Sequence, residues 1–229
     1  MGHVFNGNRF YLSMGLIMLG LVVLGFGSAA FVRTQNPLEM PLLFHIHGVT
    51  YLAWFCLFIL QVSMIGKANR ALHMKLGAAS PILVAAMLVT GWMMAAASYL
   101  RGTSPIPDIS IQQFMAFPFF DLVGLIIFYG FALAKRADAD FHKRAMLMAL
   151  VSILDPATAR IGLVVGFPPF PLLVSLILIG LVIWHDRRML ERVHIVTWCA
   201  LVWVFLRAGF VFGFGATDTW ATLANQMFG

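Results

Sequence analysis

Three histidines open three apolar stretches in the same manner. His73 stands in Leu72-His73-Met74-Lys75, His142 in Phe141-His142-Lys143-Arg144, and His194 in Arg192-Val193-His194. A helix N-terminus and neighbouring cations disfavour the imidazolium, and neutral imidazole is the form that ligates iron, copper or zinc. Histidines on separate helices can supply the two axial ligands of a haem b or the first shell of a transition metal ion. The same residues also suit proton relay, or simple helix capping and headgroup contact. His185 and Asp186 close another apolar stretch at the same level, and Gln61 lies near the lower end of its own. A buried amide of that kind needs partners, which makes Gln61 a further candidate.

A second group of ionisable residues falls inside apolar stretches, where charge is costly and usually faces a partner or a cavity. Arg207 lies 13 residues beyond His194, and Asp155 lies 13 beyond His142. A rise of about 1.5 Å per residue puts both roughly 20 Å from the helix ends that carry the histidines. Asp121 reaches nearly the same level, and His47 and Arg160 sit higher, at roughly 27 Å by the same rise. These five side chains form one expected cluster, either as a ligand cavity or as ion pairs that hold helices in register. On the second stretch, His47, Tyr51, Trp54, Phe58 and Gln61 recur at helical spacing and share one face, expected to point inward. His45 lies about 200° around the helix from His47, so His45 and His47 do not grip one metal ion. Pro156, directly after Asp155, removes an amide donor and predicts a kink.

The elements that must position these residues are set by composition. Of 229 residues, 61% are hydrophobic and only 10% charged, which excludes an ordinary soluble domain. About 20 apolar residues suffice to cross a bilayer, and seven stretches qualify: 10–32, 41–65, 73–100, 112–134, 142–166, 168–185 and 194–214. Short breakers separate them, including Asn36-Pro37, Gly66-Lys67, Pro105-Ile106-Pro107, the 137–140 Ala-Asp repeat and Phe167-Pro168-Pro169. The expected fold is therefore all-α: one polytopic seven-helix domain over residues 1–229.

The net charge of +6 is a topology signal. Arg9, then Lys67, Arg70 and Lys75, then Lys135, Arg136, Lys143 and Arg144, then Arg187, Arg188 and Arg192 occupy alternate connections. The others hold only Arg33 and Arg101. Positive residues stay inside, so the N-terminus is expected in the cytoplasm and the C-terminus outside. The first stretch is read as retained, not cleaved as a signal peptide. Cys56 and Cys199 both lie in apolar runs, read as small buried side chains with no disulfide between them.

No phosphate-binding glycine loop, nucleophile elbow or Cys-x-x-Cys-His attachment site occurs. The last apolar stretch has no lysine for a retinal Schiff base. The ordered set His47-Gly48, Trp54, Gln61, Leu72-His73-x-x-Leu76-Gly77, Phe120-Asp121-Leu122, His142-Lys143-Arg144-x-Met146, Ala159-Arg160 and Arg192-Val193-His194 resembles a group of small bacterial multi-span membrane proteins of the domain-of-unknown-function type. The resemblance covers about residues 44 to 196 and implies a bacterial inner-membrane fold without implying a chemistry. Met74-Lys75 departs from the two basic residues expected there.

The leading expectation is thus a haem- or metal-binding membrane redox protein using His73, His142 and His194, with Gln61 nearby. The alternatives are a binding or transport module lined by His47, Tyr51, Trp54, Asp121, Asp155, Arg160 and Arg207, and an accessory subunit of a larger complex. The expected partners are the lipid bilayer and a membrane protein or second copy, and not nucleic acid.

Overall fold

The computed structural model describes residues 2–33, 40–67 and 69–229, and those residues form helices without strands. In chain order they are α1 (Gly2–Arg33), α2 (Leu42–Gly66), α3 (Arg70–Leu100), α4 (Ile111–Ala134), α5 (Ala139–Val151), α6 (Asp155–Val164), α7 (Phe170–Leu190), α8 (Ile195–Phe212) and α9 (Asp218–Phe228). Six are long and apolar enough to cross a membrane, or seven spans if α5 and α6, bent by 43° at their junction, count as one. The Asn36-Pro37 separator lies outside the described residues.

Polar residues fix where the helices begin. Asn69, Ser110, Asp138, His194 and Thr217 each accept a hydrogen bond from an amide in the following first turn. Glu191, in the left-handed conformation at φ 59°, ends α7. Pro156 begins α6 instead of kinking a continuous helix, so the expected 142–166 stretch is two helices separated by Ser152, Ile153 and Leu154. Inside α3, Pro81 cannot bond the carbonyl of Gly77, and the Ser80 hydroxyl takes that carbonyl at 2.7 Å.

Between apolar helices in lipid, association rests on close packing and polar contacts, because lipid tails are as apolar as leucine. The packing is tight where glycine permits it. A Cβ on Gly25 of α1 would lie 2.2 Å from the Ala157 carbonyl oxygen of α6, so these two backbones touch. The core gathers Met14 and Met18 of α1, Trp54 and Phe55 of α2, Met87 of α3, Leu125 of α4, and Leu147 and Leu150 of α5. Cys56 and Cys199 are exposed on the outer surface of the bundle, which corrects the expectation that they are buried.

The short helix α9 is an addition to the expected pattern. It crosses the end of the bundle where α3 finishes and α4 starts. Trp220 Nε1 donates to the Gln112 carbonyl at 2.7 Å, Tyr99 bonds Asn225, and Phe228 stacks on Trp92 at 4.6 Å. The opposite end of the bundle carries the histidine openings and most of the basic residues, and is the basic end below.

Candidate functional site

At the basic end, His73 near the start of α3 and His142 near the start of α5 face each other. Their ring centroids are 6.4 Å apart and their planes cross at 82°. His142 Nδ1 lies 2.9 Å from the Ala132 carbonyl in the last turn of α4. A carbonyl only accepts, so the proton sits on Nδ1 and the Nε2 lone pair is left for another partner. A carbonyl that fixes the tautomer in this way is the usual support of a ligating histidine. Gln61 of α2 is buried, and its Nε2 packs 3.6 Å from where a Cβ on Gly77 would stand. Two polar atoms here, Gln61 Oε1 and His73 Nδ1, are buried without a hydrogen-bond partner.

His194 stands apart from this pair. Its backbone amide donates to Asp186, its Nδ1 accepts the Val196 amide at 3.2 Å, and its ring meets the edge of Phe141. Burial first, and then the Arg144 guanidinium, lower its pKa from the ordinary histidine value. The three histidines expected together therefore divide into a facing pair and a helix cap. Among the described residues no three His, Cys, Asp or Glu side chains gather closely enough to hold a metal ion.

Beside this pair lies a network that sequence reasoning missed. Arg144, read from the sequence as a loop cation, is 1% exposed, and Asp186 is fully buried. Arg144 Nε and Nη2 reach Asp186 Oδ1 at 2.7 and 2.6 Å, while Nη1 bonds the Asp140 carbonyl at 2.8 Å. The other Asp186 oxygen accepts the Thr197 hydroxyl at 2.7 Å and the His194 amide at 3.0 Å. The network is fully satisfied and ties α5, α7 and α8 together. Its only sequence signal is that Thr197 and His194 open one helix while Asp186 closes the preceding one. His185 stacks on Phe10 at 3.9 Å, which anchors the start of α1 to the same end.

Nearer the opposite end, Arg207 of α8 joins two carboxylates. Its Nε and Nη2 meet Asp121 Oδ1 of α4 at 2.7 and 2.5 Å, and its Nη1 pairs with Asp155 at the start of α6. Ser175 of α7 donates to the second Asp155 oxygen at 3.4 Å. The five residues expected in one cluster are thus sorted. Arg160 bonds the Pro156 carbonyl at 2.5 Å and lies over the Phe26 ring of α1 at 4.3 Å. His47 packs on Tyr51 at 4.2 Å, and the Tyr51 hydroxyl donates to the Met87 carbonyl at 3.2 Å.

The inward stripe of α2 is present as the spacing predicts. Trp54, Phe58 and Gln61 are buried, His47 and Tyr51 are half-buried, and His45 is exposed. Trp54 meets the edge of the Tyr129 ring of α4 at 5.5 Å. No family model, curated protein or solved structure matches the chain.

Proposed function

We propose that this chain is a haem-binding integral membrane protein with an electron-transfer role, in which His73 and His142 would hold the haem. The facing histidine pair carries the reading. Metal–nitrogen bonds of about 2 Å, with ~1.1 Å from nitrogen to ring centre, separate two imidazoles on one metal by about 6 Å. The observed 6.4 Å agrees with that spacing. A porphyrin brings four of six ligands itself, so two histidines suffice, whereas a tetrahedral metal site needs four donors. The carbonyl of Ala132 orients His142, and the unpartnered Gln61 Oε1 and His73 Nδ1 offer polar contacts to a bound group. When bound, the haem would supply one-electron chemistry; the chain's part is to hold it and keep water from it.

In this reading the protein is a seven-span protein of the bacterial inner membrane, its N-terminus and basic end in the cytoplasm, its circumference covered by lipid. The alternation of Lys and Arg between connections supports that orientation, and the ordered motifs support the bacterial family resemblance.

The test is an absorption spectrum of detergent-purified protein, oxidised and dithionite-reduced. A Soret band is expected in the wild type, lost in His73→Ala and in His142→Ala and kept in His194→Ala. A colourless protein that takes up no added haem would overturn the proposal.

A further inference from the structure

The last turn of α7 carries two exposed arginines, Arg187 and Arg188, and the helix continues to Leu190 before Glu191 closes it. They are thus held on a rigid element at the basic end. Asp186, the preceding residue, is turned inward and engaged by Arg144, so it does not neutralise them. Among the described residues no carboxylate pairs with either arginine. The Arg188 guanidinium instead lies over the indole of Trp184, 4.5 Å from the ring centre, and Trp184 is 50% exposed. That contact uses the π face of the indole and leaves the N–H fork of the guanidinium for another partner.

Trp184 heads an exposed apolar stripe. Leu181, Ile177 and Leu173 recur at helical spacing on the same face of α7. Leu173 and Trp184 are 11 residues apart, about 16 Å by helical rise, which matches one leaflet of a bilayer core roughly 30 Å thick. Gly180 lies on this face with open space where a Cβ would stand, leaving a shallow notch beside the stripe. The order along α7 is therefore that of a phospholipid: cations at the level of the phosphate, an amphipathic indole at the interface, and an apolar track for one acyl chain. Trp198 near the start of α8 is similarly exposed at the same end, but among the described residues no cation lies over its ring.

We propose that this face of α7 is a binding site for an anionic phospholipid, with the phosphodiester held by Arg188 and Arg187 and an acyl chain along Leu181, Ile177 and Leu173. Guanidinium and phosphodiester match in geometry as well as charge, since the fork donates to two oxygens at once. A zwitterionic headgroup would bring its own ammonium beside two cations that already lack a countercharge. The proposal does not rest on the haem reading, because colourless protein tests it equally well.

The experiment is tryptophan quenching in phosphatidylcholine bilayers containing the purified protein and an equal small fraction of either brominated phosphatidylglycerol or brominated phosphatidylcholine. The Trp184 signal is the difference between wild type and Trp184→Phe, and the Trp198 signal is obtained from Trp198→Phe in the same way. Brominated phosphatidylglycerol is expected to quench Trp184 as though enriched about fivefold over the zwitterionic lipid, the size of one cation's attraction to an anionic headgroup. Trp198 is expected to show no such preference. Arg187→Ala combined with Arg188→Ala is expected to abolish the preference at Trp184, measured against the same variant carrying Trp184→Phe. Arg188→Gln alone is expected to remove most of it, and serves if the double variant elutes as an aggregate. Equal quenching of Trp184 by the two lipids would overturn the proposal. So would an equal preference at Trp198, which would mean diffuse attraction to the basic end, or a preference that survives the arginine substitutions.

Discussion

Replacing Asp186 by alanine removes the centre of the network at the basic end, and the structure sets the size of the effect. Arg144 is 1% exposed and would keep its charge without its principal partner. Breaking a buried pair from one side costs ~3–5 kcal/mol. The Thr197 hydroxyl, also fully buried, would lose its acceptor, and an unsatisfied buried donor costs about 1–3 kcal/mol more. The contributions share one site and do not add in full, so the expected loss is roughly 4–6 kcal/mol. The assay is denaturation of detergent-solubilised protein, followed by tryptophan fluorescence. The informative comparison is the double variant Asp186→Leu with Arg144→Met. Removing both charges together restores an apolar contact and should recover about half of the loss or more. A single Asp186→Ala variant within about 1 kcal/mol of wild type would refute the reasoning, since it would mean that water already reaches Arg144.

Gly25→Ala is expected to destabilise the bundle by about 1–3 kcal/mol or more, because its methyl group would meet the Ala157 carbonyl at 2.2 Å; equal thermal stability to Gly20→Ala, which has open space, would count against it. His194 acts as a cap through a neutral imidazole, and burial lowers its folded-state pKa. Its contribution to stability is therefore complete above the unfolded value of about 6.5 and is lost as the pH falls from there to the lowered folded value. Thermal unfolding between pH 8 and pH 5 should show that loss in wild type and less of it in His194→Asn, which keeps a capping side chain that does not titrate there.

Hydropathy made the long helices legible because crossing a bilayer demands length and apolarity, and little else in the sequence competes with that signal. It failed where those criteria stop applying. The helix α9 is short and amphipathic, and α7 runs on through Arg187 and Arg188, which charge counting assigned to a connection. Arg144 was counted the same way, since its partner lies 42 positions downstream and nothing local announces a buried pair. Cys56 and Cys199 mislead for another reason: a surface facing lipid is as apolar as the interior, so an apolar run does not say which side a residue faces.

The site was legible in its residue types and depths but not in its pairings. Helical rise brought Asp121, Asp155 and Arg207 to one level, and the three do meet. Rise carries no information about rotation of one helix against another. That is why His73 with His142, and His194 with Asp186, had to be found in three dimensions.

The contact between Gly25 and Ala157 has a consequence for how the chain is made. Helix α1 is synthesised well before α6, yet it is the α6 backbone, more than a hundred residues later, that Gly25 touches. Through the insertion of α2 to α5, Gly25 of α1 waits without its final neighbour. The bundle is therefore closed late, by a pairing between distant parts of the chain, and a chain cut short before α6 leaves the Gly25 surface of α1 without the backbone it packs against.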